Sequence, residues 1–156
     1  MTTMTIYNIA LITHITGLAL MAGATIQDFS VSNQFWKHFI TDPSRGLAIR
    51  EARGRSPLFF ALGGIFLILS GLTMMVLTKG VFGEQLWFRI KFGLVLVIII
   101  NGIIVGRLQK NKLGKMLDEG AAEGGLLKVK NTINRFHLAQ LFLFLVIFSL
   151  SVFKFN

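Results

Sequence analysis

Apolar residues gather into four runs along the chain, about 6–26, 58–77, 86–105 and 133–153, and charged or polar residues return between them. A hydrocarbon layer about 30 Å thick takes roughly 20 helical residues to cross, and each run has that length. Backbone N–H and C=O groups find no water there, so a crossing segment of this kind is helical. The pattern predicts an all-α, integral membrane four-helix transmembrane bundle running up-down-up-down, a single domain over 1–156 with connections at 27–57 and 106–132. Ser56 and Pro57 form a helix-start signal before the second run, and Lys79, Gly80 and Gly83 mark a short turn before the third. Spans two and three are therefore expected to form a tight hairpin.

Composition agrees with lipid as the solvent. The chain has 156 residues, 53% hydrophobic and only 15% charged, with a mean hydropathy of +0.67, a balance that a water-soluble domain of this size cannot hide in one core. The formal charge of +9 raises nucleic acid as a partner, but the basic residues fall between apolar runs instead of forming a stripe with exposed aromatics, which argues against it. Cysteine is absent, which removes disulfides, thiolate metal sites, iron-sulfur clusters and covalent haem attachment. No Lys or Arg precedes the first run and no small-residue cleavage site clearly ends it, so a retained span is expected instead of a signal peptide.

The cations set an orientation. Residues 27–57 hold Lys37, Arg45, Arg50, Arg53 and Arg55, and residues 106–135 hold seven more, against only Lys79, Arg89, Lys91 and Lys154 elsewhere. Positive charge resists translocation, so both long connections are expected to be cytoplasmic and both termini non-cytoplasmic. Phe35, Trp36, Lys37, His38 and Phe39 resemble a headgroup-level anchor, which predicts a segment lying on the membrane surface. Lys110, Lys112, Lys115, Asp118, Glu119 and Glu123 keep helical spacing until Gly120, Gly124 and Gly125, so span three is expected to continue beyond the membrane.

Function is most readable where polar groups intrude, because an ionisable side chain in hydrocarbon costs roughly 3 kcal/mol even on the mildest scale. His14 lies about 12 Å below the outer surface at 1.5 Å per residue. Ala10, Gly17, Met21 and Asp28 fall on or near its face, which can approach a neighbouring helix or a flat ligand closely. It is read either as a metal ligand or as a hydrogen bond that locks helices. Lys91, roughly 8 Å deep, can share a layer with His14; it either snorkels or holds an acidic group. Trp87 and Arg89 beside it read as an interfacial anchor. His137 opens span four on a polar face with Asn134 and Gln140 and is a second, weaker ligand candidate. The two histidines differ in height by roughly 12 Å, so straight helices would not let both bind one metal. Met21, Met74 and Met75 read as packing first, with thioether ligation the alternative. Gly63, Gly64, Ser70 and Gly71 read as a close-packing stripe.

These residues resemble the HemJ-type protoporphyrinogen oxidases and the related CopD-like four-helix membrane proteins. The features that carry the resemblance are His14 followed by an aliphatic run to Gly23, Trp87-x-x-x-Lys91 before a long aliphatic run, and the closing pair Gly106–Arg107. The family pattern Asn-Glu-x-Pro at the start of span four is replaced by Asn134-Arg135-Phe136-His137. The resemblance implies a b-type haem on His14 (with His137 the lesser alternative) and Lys91 near the same site. It also implies a tetrapyrrole or quinol substrate, an oxidoreductase activity, and residence in the bacterial inner membrane. Gly17, Met21 and Arg107 belong to the same candidate cofactor-binding set. A neutral imidazole is a standard axial ligand, and a small-sided bundle interior accommodates a flat macrocycle. Two rival readings stand beside this one: a metal-ion or proton-linked transporter built on His14, Lys91 and the methionines, and a non-catalytic partner subunit. Four spans are also compatible with a homo-oligomer. No phosphate loop, nucleophile elbow or His-x-x-x-His zinc spacing is present.

Overall fold

The computed structural model describes residues 2–52, 54–119 and 123–153, leaving aside the side chains of Phe82 and Glu123. Arg53, Gly120 and Lys154, which entered the charge count and helix boundaries above, lie outside these residues. The described chain is helical throughout, with no strand: α1 Thr3–Phe39, α2 Pro43–Glu51, α3 Ser56–Leu77, a 3-10 turn at Val81–Glu84, α4 Leu86–Asp118 and α5 Glu123–Val152. Four of these helices, α1, α3, α4 and α5, are long and apolar enough to cross a membrane, as an integral membrane protein requires.

The helix ends follow local chemistry. Thr2 caps α1, its hydroxyl accepting from the Thr5 amide. Asp42 caps α2, its carboxylate accepting from the Arg45 amide at 3.1 Å and the Ser44 hydroxyl at 2.6 Å, with Pro43 in the first turn. These bonds hold the exposed Asp42 carboxyl below the usual carboxylate range, the Ser44 hydroxyl first and the Arg45 amide second. After α3 the chain reverses through Gly80, whose amide donates to the Met75 carbonyl at 3.0 Å with φ +77°. A side chain rarely adopts that conformation.

α1 is the hub, packing against α3 along its length and also against α2 and α5, while α4 rests mainly on α5. The α1/α3 pair is drawn together by glycine. A Cβ at Gly63 would lie 2.6 Å from the Gly17 carbonyl oxygen and 2.7 Å from Met21 Cγ, and a Cβ at Gly17 would lie 2.8 Å from the Gly63 oxygen. Lipid tails are as apolar as leucine, so such helices associate through close van der Waals packing. Around this crossing lies a core of Leu18, Met21, Leu67, Ile98, Phe144 and Ile147.

Three expectations change. Spans two and three are joined by a short turn but do not form a tight hairpin: α3 and α4 share almost no close backbone approach. They meet through side chains instead, the Phe60 ring lying where a Cβ of Gly102 would be. The Phe35–Phe39 segment is not a separate surface anchor: it continues α1, and Phe35 and Trp36 are buried with Leu113, Val129 and Ile133 in a second core. α2 folds back over that end, with Gly46 pressed against Phe39. Trp87, finally, is buried, donating to the Gln85 side chain, while Arg89 donates to the Gly83 carbonyl at 2.8 Å and fastens the turn. The expected continuation of span three is observed, since α4 runs unbroken to Asp118.

Candidate functional site

The polar residues inside the helices fall into two groups. One lies at the end of the 3-10 turn, and the other at the opposite end, where the basic connections are.

At the turn end, α1 presents His14 to Ser70 on α3, with Nδ1 and Oγ 3.0 Å apart. Ser70 also donates to the Phe66 carbonyl at 2.5 Å. A hydroxyl has one proton, and the Phe66 carbonyl takes it, so Ser70 accepts from His14 Nδ1–H. This network assigns the tautomer and leaves the lone pair on Nε2. Gly71 makes room for the ring, a Cβ there lying 3.6 Å from His14 Cε1. Lys91 of α4 is close enough to act electrostatically on the imidazole. The structure thus brings His14 and Lys91 together, with Ser70, which the sequence offered only as a packing residue.

Gly17 and Met21 do not share that role. Both are buried in the α1/α3 crossing, and the small-sided face that invited a flat ligand is filled by α3. Met21 and Met75 are not gathered at His14 either. Met21 lies beside Gly63 and Gly64, two turns of α3 from Ser70, and Met75 reaches Gly83 in the turn. Among the described residues no group of three or more His, Asp and Glu could hold a metal ion.

At the basic end, Asp28 of α1 accepts from Ser56 of α3 at 2.6 Å and pairs with Lys110 of α4 at 3.2 Å. One carboxylate thus joins three helices. His137 of α5 is buried, its ring 5.9 Å from that of Phe29 on α1. Phe29 is fifteen residues past His14, or roughly 22 Å of helix, so the two histidines cannot ligate one iron. Gln140 is buried and spans from α5 to α4, accepting from Asn101 at 3.0 Å and donating to the Ile98 carbonyl at 2.8 Å. This satisfied pair holds α5 against α4 within their apolar stretches, where an unmet amide is costly.

Because α3 and α4 stand apart, a cavity of about 670 Å³ opens between them, with Arg107, Lys110, Asp28 and His137 at its basic end and Phe60, Ile65, Ile68 and Ile99 along its walls. A smaller cavity of about 150 Å³ shares Asp28, Lys110 and His137 and reaches Arg50 of α2. His14 lines neither. Asp28, Ser56, Lys110 and Asn101 are functional or bridging residues that the sequence reading did not select. Asn101 alone left a signal, as the lone amide in the run from Leu94 to Val105.

No family model, curated protein or solved structure matches the chain.

Proposed function

We propose that the chain is a haem-binding membrane redox protein with His14 as the protein ligand to a b-type haem. The observation that carries this reading is the Ser70 hydrogen bond, which engages the imidazole through Nδ1 and leaves the Nε2 lone pair outside that bond. A neutral imidazole held through its other nitrogen is the arrangement metal-binding histidines use. His14, half-buried on α1, would supply one protein ligand, and Lys91 would supply a nearby cation for an acidic substituent of the ring. Haem, when bound, supplies one-electron chemistry. The protein's part is to hold the imidazole, place the cation and keep water away with the apolar flanks of α1 and α3.

The reading includes an orientation, with both long connections cytoplasmic, both termini outside and the protein in the bacterial inner membrane. It also takes its substrate class, a tetrapyrrole or quinol, from the HemJ-type resemblance.

Reduced-minus-oxidised spectra of the purified full chain test the reading. The expected result is a Soret band after haem is supplied, lost in His14→Ala and weakened in Ser70→Ala, whose imidazole is no longer fixed. Absence of the band in the parent protein would refute haem binding. A full band in His14→Ala would move the ligand elsewhere. Orientation is checked separately: the chain has no cysteine, so single cysteines at Thr3 and Lys115 report which side an impermeant thiol reagent reaches.

A further inference from the structure

The cavity between α3 and α4 has a polarity of its own. It runs along α3 from Pro57 to Ile68 and along α4 from Ile99 to Lys110, eleven residues on each helix, or roughly 16 Å. That is about half of a 30 Å hydrocarbon layer, one leaflet deep. Its charged residues gather at one extremity, beside the basic connections, and its other walls are mostly aliphatic and aromatic, with Thr25 and Gln140 as uncharged polar groups. This is the orientation of an amphipath in a leaflet, with its head at the interface and its body reaching the midplane.

Charge decides the sign of the head. Among the described residues Asp28 is the only acid lining the cavity, and it is opposed by Lys110 at 3.2 Å. Arg107 adds a further positive charge from an exposed position. The basic extremity is therefore net cationic. Volume limits the body: about 670 Å³ is within the roughly 300–1,000 Å³ of small-molecule sites, room for one chain or one ring system. The way in is lateral, because α3 and α4 share almost no close backbone approach and the wall residues Ile65, Ile68 and Ile103 are exposed.

We propose that this cavity binds a membrane-dissolved organic acid, one carboxylate on a single elongated apolar body, with the carboxylate on Arg107 and the body along Phe60, Ile65 and Ile99. The site is separate from His14 and stands whether or not haem binds there.

The test is saturable binding of parinaric acid, a fluorescent polyene fatty acid, to the full chain in phosphatidylcholine nanodiscs, with the matching polyene alcohol as control. The acid is expected to bind at least about tenfold more tightly than the alcohol, as a charge-assisted hydrogen bond implies. Arg107→Gln should remove that margin and leave the alcohol unchanged. Ala61→Phe, which adds a ring to the cavity wall from an exposed position, should weaken both. Equal binding of acid and alcohol, no response to either variant, or no saturable binding at all would overturn the proposal. Full displacement by anionic phosphatidylglycerol in the disc would also overturn it, making the occupant bulk lipid. The Soret band of the parent protein should be the same in Ala61→Phe, so failure here is distinguishable from failure of the haem reading.

Discussion

At the turn end His14 meets Ser70 on a helix so near that glycine backbones touch, whereas at the basic end Asp28, Lys110, Arg107 and His137 surround a space that α3 and α4 leave between them. Both places put ionisable groups inside helices long enough to cross a membrane, and spacing separates their chemistry. Where helices touch, each polar side chain has one neighbour to bond and keeps a single orientation. Where they diverge, the groups line a volume, and what fills it is set by charge and length. The α1 window holds 33% buried residues and the α4 window 6%, so α4 has few neighbours in the chain and α1 has many.

The comparison breaks most completely at the glycine crossing. Gly17→Val should abolish a stable fold or cost more than about 3 kcal/mol, because the atoms it meets at 2.8 and 2.9 Å are backbone and cannot swing aside. Thermal melting in detergent checks this. If Gly17→Val melts with the parent, glycine contact does not draw α1 and α3 together.

A smaller loss is expected at the basic end. Asp28→Ala removes the acceptor of both Ser56 and Lys110, but the Lys110 side chain is 36% exposed, so screening limits the loss to about 1–2 kcal/mol. The Asn101–Gln140 amide pair follows at about 1 kcal/mol: Gln140→Leu leaves Asn101 without its acceptor, and interhelical bonds between membrane-type helices are worth that or less. Denaturation of both variants orders these effects, and Gln140→Leu exceeding Asp28→Ala would reverse the ranking.

The smallest effect is local. Asp42 has its pKa depressed in the folded chain, so its capping contribution is present above the ordinary carboxylate value. It is lost as the pH falls below that value and through the lowered one. The protection of the Arg45 amide from hydrogen exchange, taken relative to the intrinsic rate at each pH, should fall over that acid range and be insensitive to it in Asp42→Ala.

The four long helices were legible because hydropathy over twenty residues reports burial in lipid without reference to any partner. Which helix touches which was not. The short turn at Gly80 implied a tight hairpin, but turn length fixes only where two helices begin, and the Phe60 ring against Gly102 keeps them apart. The aromatic stretch at Phe35 and Trp36 matched a lipid anchor equally well, since burial under α4 and α5 needs the same residues. His14 and Lys91 were selected as intrusions into apolar runs and lie together. Ser70 was read as small because a hydroxyl's hydrogen-bonding role depends on the register of α1 against α3, which one sequence does not contain. Asp28 was noticed only as a residue on the His14 face, and its partner is eighty-two positions away.

The divergence of α3 from α4 has a consequence for biogenesis. During synthesis α4 emerges directly after a helix whose backbone it hardly approaches, and its main docking surface, including the amide clasp from Gln140, belongs to the last helix made. The bundle therefore closes late, and a chain truncated before α5 would leave α4 held by side-chain contacts such as Phe60 on Gly102 and the Lys110–Asp28 pair, without its main docking surface.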